Sequence, residues 1–262
     1  MPRWRSSSQM SELPPLVDAG WLQEHLGEQD VLVGDVRGPN AHQRGHLPHS
    51  IPLVLGSPPP LATRETVQEF AVEVQRRLGR HGVTGEERLV LYDRGDCVGA
   101  SASAQAAMLA GHPRVSVLAG GVAAWPGELE QGAVELQKTN TSLEPRLEAV
   151  PTWEELRDRL ADEGLTVLDV RTEEEFSGRG GYPCDPRQGH IPGARQLEVD
   201  RLFAAPGRPH EPWGIRELVA YCHSGSRSAL AALALRAAGY DARNYPGSWH
   251  EWSRHEDLPA ER

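Results

Sequence analysis

Glu217-Leu218-Val219-Ala220-Tyr221-Cys222-His223-Ser224-Gly225-Ser226-Arg227-Ser228 is the stretch whose reading decides the fold. A short apolar run bounded by a polar start reads as a buried strand over Glu217 to Tyr221. Ser226 to Ala238 is rich in Ala and Leu and stops at Gly239, which reads as a helix with a glycine C-terminus. Strand, tight loop and helix in this order place Cys222 at the carboxyl end of a strand, where open parallel sheets hold their ligands. The small residues of the loop let backbone N–H groups converge on one point. The following helix adds its positive end and Arg227 adds a full charge. All three effects favour a thiolate at Cys222 and an anion held beside it.

Outward from this stretch, the chain repeats itself once. Asp35-Val36-Arg37 returns as Asp169-Val170-Arg171, and Gly45-His46-Leu47-Pro48 returns as Gly189-His190-Ile191-Pro192. Leu91-Tyr92-Asp93 aligns with Ala220-Tyr221-Cys222, Ala110-Gly111-His112 with Ala238-Gly239-Tyr240, and 120–125 with 247–252. The order is kept and the spacing drifts with local insertions, namely a helix-like stretch over Glu65 to Gly79 in the first copy and extra residues around Ser177 to Pro186 in the second. The boundaries expected are a flexible tail over 1–14, a first copy over 15–128, a polar linker over 129–148 and a second copy over 149–262. In the second copy Thr152 to Ala161 reads as a helix capped by Thr152 with Glu155 three residues on, and Thr166 to Asp169 as a buried strand. Alternating strands and helices predict an α/β fold with a parallel sheet covered on both faces.

Composition narrows the function classes. The 262 residues are 39% apolar and 24% charged, a globular balance. A formal net charge of −10 disfavours a nucleic-acid partner. No apolar run reaches the ~20 residues of a membrane span, and no secretory pattern opens the chain, so a cytoplasmic location without membrane contact is expected. Three cysteines, Cys97, Cys184 and Cys222, argue against a disulfide framework. Neither C-x-x-C nor H-E-x-x-H occurs, so neither a metal nor another cofactor is expected.

These motifs together resemble the tandem-domain rhodanese family: Asp169-Val170-Arg171, Gly189-His190-Ile191-Pro192-Gly193-Ala194, the Cys222 loop, and Tyr245-Pro246-Gly247-Ser248-Trp249 leading to Glu251-Trp252. The resemblance covers roughly Leu16 to Trp252. It implies two domains, each a central five-stranded parallel sheet flanked by helices, with the site facing the interdomain cleft. It also implies that Cys222 takes a sulfane sulfur from a small-molecule donor as a persulfide. That sulfur then passes to a thiol or cyanide, with a thioredoxin-like reductant as a candidate protein partner. His223, Ser224, Gly225, Ser226, Arg227 and Ser228 would form the substrate-binding loop, with Asp169, Arg171, Arg187 and His46 in support. The first copy carries Asp93 where the second has Cys222, and a carboxylate cannot form a persulfide. Cys97 lies beside Asp93 and Asp96, which disfavour its thiolate. Cys184, in the insertion, reads as a bystander thiol or a resolving one.

Two donors are open. The thiosulfate branch of the family uses cationic side chains to hold a sulfonate. The 3-mercaptopyruvate branch uses arginines to hold a carboxylate and has a loop serine matched by Ser224, paired in a proposed proton relay with a histidine for which His46 is the nearest match. Both branches place an arginine before the aromatic residue matching Phe176, where this chain has Glu175. Arg227 stands as a substitute cation, so thiosulfate is the expected donor. Asp169 and Arg171 are expected to form an internal ion pair. Two rivals stand beside sulfur transfer. A phosphatase would separate cysteine and arginine by five residues, whereas four lie between Cys222 and Arg227. A non-catalytic sulfur-carrier or binding module would not require an intact cysteine loop.

Overall fold

A computed structural model describes residues 14–60, 63–141, 143–202 and 217–262. In the first copy, β1 (Leu16–Val17), α1 (Ala19–His25), β2 (Val31–Asp35), α2 (Pro39–Arg44), β3 (Ser50–Pro52), α3 (Arg64–Arg80), β4 (Arg88–Tyr92), α4 (Val98–Leu109) and β5 (Val115–Leu118) follow in order. The second contains α5 (Trp153–Asp158), β6 (Leu165–Asp169), α6 (Glu173–Phe176), β7 (Arg195–Gln196), β8 (Glu217–Tyr221), α7 (Ser226–Ala237), β9 (Asp241–Asn244) and α8 (Ser248–Trp252). Every strand pairing is parallel, in the orders β1-β5-β4-β2-β3 and β7-β6-β8-β9. Crossovers through helices are what parallel neighbours require. None of the described helices is long and apolar enough to cross a membrane. The tail expected at 1–14 lies outside the described residues except for Pro14, whose carbonyl accepts a hydrogen bond from Ser116 Oγ.

The expectation of five strands in each domain is corrected for the second, where four are described. The segment matching β1 is held elsewhere. Leu147–Ala149 forms a short 3-10 turn, and Arg64 Nη1 of α3 donates to the carbonyls of Leu147 and Val150 at 2.6 and 3.0 Å. Val150 packs with Val67, Ala71 and Leu109 of the first domain, and Pro151 has no N–H to give a strand ladder. The polar segment before it straps the first domain: Thr139 N donates to Gly79 O, Gln75 Nε2 to Leu143 O and Arg146 N to Leu109 O.

The two copies share one internal frame. Asp35 and Arg37 pair at 2.7 Å, and Arg37 Nη2 also donates to Gly45 O. Asp169 and Arg171 repeat this at 2.6 Å, with Arg171 Nη2 donating to Gly189 O. The hydroxyls of Tyr92 and Tyr221 each accept from a backbone N–H in the G-H-[LI]-P motif earlier in the same copy, Leu47 and Ile191 respectively, at 3.1 Å. Each network thus ties the end of a central strand to the G-H-[LI]-P loop beside it.

Helices α4 and α7 join the domains. Both are built from small and aliphatic residues and are buried on nearly every side, as expected of helices enclosed between layers. They pack on each other, and one core cluster runs from Leu89, Ala100 and Ala104 to Leu218, Ala231 and Leu235. Gln105 of α4 accepts from Asn244 Nδ2 at 2.6 Å across this contact.

The Asp169–Arg171 pair is almost fully buried, so removing one partner strands a charge. Arg171→Ala is expected to lower unfolding free energy by about 3–5 kcal/mol in denaturant titration. A loss under about 1 kcal/mol would show that the pair is not a structural brace.

Candidate active site

Strand β8 ends at Tyr221 and α7 begins at Ser226, so the chain reverses within four residues. Gly225 makes the reversal with φ +93°, a conformation that glycine adopts without a Cβ penalty. A Cβ there would also lie 2.7 Å from Pro246 O. The turn aims Gly225 N–H at Cys222 Sγ, 3.1 Å away. Ser228, in the first turn of α7, shares its hydroxyl between the same sulfur at 3.4 Å and Gly225 O at 3.2 Å.

Behind the loop, Cys222 N donates to Ser248 Oγ at 3.1 Å, and Trp249 N and His250 N donate to the carbonyls of Cys222 and His223. Asn244 Nδ2 bonds Gly225 O at 2.9 Å. Ser248 adopts φ +54°, costly for a residue with a Cβ. It aligns with Gly121 of the first copy, which has φ +52°. Ser248 lies within the Tyr245–Trp249 motif, whose residue types alone do not mark it as a site residue. A serine standing where the repeat has glycine was the available signal. Asn244 carried none.

The sulfur lies at the floor of this nest, with Cys222 only 2% exposed. His223, Ser224, Ser226 and Arg227 are half-buried above it. Arg227 does not point freely at a donor: Nη1 and Nη2 each bond Glu175 at 2.8 Å. These bonds, against the cost of burial and with attraction from Cys222, hold the guanidinium pKa above its ordinary value. Burial raises the Glu175 pKa, but the bonds from Arg227 outweigh it and leave the carboxyl below its usual range. Glu175 also closes the capping box of α6 with Thr172.

Three expected supporting residues are engaged away from the sulfur. Arg187 donates to the carbonyls of Ser253, Leu258, Trp252 and His255, tying down the C-terminal loop. Arg171 is bound to Asp169 and Gly189 as above. His46 stacks on His42 at 3.7 Å, hydrogen-bonds the His42 carbonyl through Nδ1 and sits 3.8 Å from Glu130. Its counterpart His190 makes the equivalent bond to Phe176 O and approaches Glu261. These contacts fix the His46 ring within the first domain. His223 turns from the sulfur to Asp185, 3.2 Å away, under the ring of Tyr182. Burial lowers its pKa despite Asp185.

The matching loop of the first copy is filled by its own anion. Asp93 Oδ1 accepts from Gly95 N and Cys97 N at 3.0 and 3.1 Å, and Oδ2 accepts from Ala100 N at 3.1 Å. Cys97 caps α4, and burial pushes its thiol pKa up, with Asp93 and Asp96 acting in the same direction. A cavity between the domains is lined by Cys97, Asp96 and Gly120 on one side and Val199, Asp200 and Leu230 on the other. Cys222 is not among its lining residues.

Comparison with known proteins agrees with this double frame. The family model described as rhodanese-like domain matches residues 18–128 and again 152–255. A probable 3-mercaptopyruvate sulfurtransferase of Pseudomonas aeruginosa is 31% identical over 268 residues, 90% of this chain and 94% of its own. A putative thiosulfate sulfurtransferase of Mycobacterium tuberculosis is 30% identical over 279 residues, 96% of this chain and 95% of its own. The crystal structure of a probable thiosulfate sulfurtransferase superposes with a TM-score of 0.74 at 31% identity, covering 89% of this chain and 98% of that one. With two complete copies of the domain matched along its length, the chain belongs to the tandem-domain rhodanese family of sulfurtransferases.

Proposed function

We propose that the chain transfers a sulfane sulfur from thiosulfate to a thiol or cyanide through a persulfide on Cys222. The observation that carries this reading is the pair of donors, Gly225 N–H and the Ser228 hydroxyl, directed at one sulfur at the start of a twelve-residue helix. Such donors stabilise a thiolate and the negative charge of a persulfide sulfur. In the first step the Cys222 thiolate attacks the outer sulfur of thiosulfate. The S–S bond of the donor breaks and sulfite leaves with the electron pair. In the second, the acceptor attacks the terminal sulfur of the persulfide and the Cys222 thiolate is released.

Glu175 and Arg227 bear on the donor. A lone carboxylate at 175 would repel any anionic donor, but the bidentate pair makes the rim locally neutral, with the Arg227 charge shared. A second reading, 3-mercaptopyruvate as donor, draws support from the named Pseudomonas relative and from Ser224 at the rim.

Incubation with thiosulfate is expected to add one sulfur by intact mass, and Cys222→Ser is expected to abolish the adduct. Absence of an adduct with either donor would favour a non-catalytic module. Measured on one preparation, kcat/KM is expected to favour thiosulfate. A preference for 3-mercaptopyruvate above about tenfold, or ~1.4 kcal/mol in transition-state stabilisation, would overturn the donor assignment.

Releasing Arg227 should strengthen the hold on the donor. Glu175→Gln is expected to lower the thiosulfate KM roughly three- to tenfold, on the scale of ~1 kcal/mol for a half-exposed charge. A raised KM would mean instead that Glu175 positions Arg227 for the donor. Gly225→Ala is expected to displace the turn and slow persulfide formation by about 10²–10³, the scale of losing one aimed donor, with rates compared on the fraction shown folded by circular dichroism. Unchanged kinetics would remove the Gly225 N–H from the mechanism.

A further inference from the structure

Beside the Cys222 loop lies a second cluster that sulfur transfer does not use. Cys184, Asp185, His223 and His250 come from three separate stretches of the chain, yet one ligand atom from each lies within 4.8 Å of all the others. Cys184 Sγ is 3.9 Å from His223 Nε2, 3.9 Å from His250 Nδ1 and 3.8 Å from Asp185 Oδ1. The carboxylate lies 3.2 Å from His223 Nε2 and 2.9 Å from His250 Nδ1. Bonds of about 2.0–2.3 Å to a tetrahedral zinc ion set ligand separations of roughly 3.3–3.6 Å. The separations in the cluster run from 2.9 to 3.9 Å and no pair exceeds 4.8 Å, so side-chain movements of up to about an ångström would bring the four atoms onto such a tetrahedron.

A separate observation, the setting of Asp185, points the same way. Asp185 is 6% exposed and its Oδ2 is a buried acceptor with no hydrogen bond of proper direction, although His223 Nε2 is near. An unsatisfied buried carboxylate oxygen is costly, and a cation at the centre of the cluster would satisfy it. The shell is already held in place. Tyr182 stacks on His223 at 3.6 Å, His250 N donates to His223 O, and Asp185 N donates to Tyr182 O. Arg254 competes for the position: Nη1 is 3.2 Å from Asp185 Oδ1 and 3.0 Å from His250 Nδ1, while Nη2 donates to Cys184 O at 2.6 Å. Its side chain is 30% exposed, which leaves it room to swing outward.

We propose that Cys184, Asp185, His223 and His250 form a binding site for a borderline-soft divalent cation, zinc being the best match, at the rim of the Cys222 pocket. One thiolate and two imidazoles select zinc or a neighbouring transition metal over calcium or magnesium, which prefer all-oxygen sites. The sequence spacing hides the site because its members meet only when the insertion, the β8–α7 loop and α8 pack together. Cys184 is then a ligand rather than a bystander or resolving thiol.

Cobalt is the probe. The untagged full chain, stripped with a chelator and kept reduced, is titrated with Co²⁺ and followed by absorbance. A thiolate-to-cobalt charge-transfer band with strong tetrahedral d–d bands should saturate at one equivalent and be displaced by one equivalent of Zn²⁺. Cys184→Ser, at an exposed position that leaves the core untouched, should abolish the charge-transfer band, and His250→Ala should weaken binding by at least about tenfold. Cys222→Ser and Cys97→Ser should leave both signals in place. No saturable thiolate band, a band that survives Cys184→Ser, or one that vanishes in Cys222→Ser would overturn the proposal. Because Cys222→Ser removes sulfur transfer but not this site, failure of one reading is distinguishable from failure of the other.

Discussion

The second domain depends on one backbone constraint, the reversal at Gly225. A strand must become a helix within four residues while the backbone of Pro246 presses against the turn, and only a residue without a Cβ fits. The same turn directs the Gly225 N–H at the Cys222 sulfur and places Ser228 one helical turn beyond it. The packing of α7 and the polarity around the thiol therefore have a single cause. Ser248 supports the turn from behind at its own conformational cost. Such strain persists where the surrounding structure over-determines it and is typical of functional sites.

Duplication shows what the frame supplies and what the loop adds. Both copies bury an Asp–Arg pair, aim the arginine at a glycine carbonyl and anchor a tyrosine hydroxyl on the G-H-[LI]-P motif. In the first copy the anion cradle is closed by the Asp93 carboxylate, which takes three backbone N–H groups. In the second, the corresponding residue is a thiol that takes one backbone N–H and lies beside the hydroxyls of Ser228 and Ser248. The first domain still bears on the site through α4, where Gln105 holds Asn244, which in turn holds the Gly225 carbonyl.

Charges around the thiol are balanced in pairs. Arg227 and Glu175 neutralise each other on one side of the rim. On the other, Asp185 gathers His223, His250 and Arg254. Partly buried charges are stable only with such partners. The donor thus meets a rim whose net charge is small and whose strongest directed donors lie at its floor.

Much of this was legible in the amino-acid order. The repeated motifs, the strand running into Cys222, the capping box at Thr152 and the loss of the nucleophile at Asp93 are local patterns, set by periodicity, turn chemistry and side-chain type within a few residues. What a side chain touches across the fold was not legible. Arg227 read as a free cation until Glu175, 52 positions earlier, was placed against it. The bonds of Arg187 to carbonyls 65 to 71 positions further on carried no sequence signal either. Among the described residues the second sheet has four strands, and 147–150 lies against the first domain instead, a contact that no local pattern records. The sequence by itself determined the two-domain plan, the strand–loop–helix that carries Cys222 and the Asp93 that stands in its place in the first copy, because each rests on short-range stereochemistry. Only the tertiary structure decided charge pairing, the orientation of the rim and the Cys184 cluster, because these depend on which distant segments packing brings within hydrogen-bonding range.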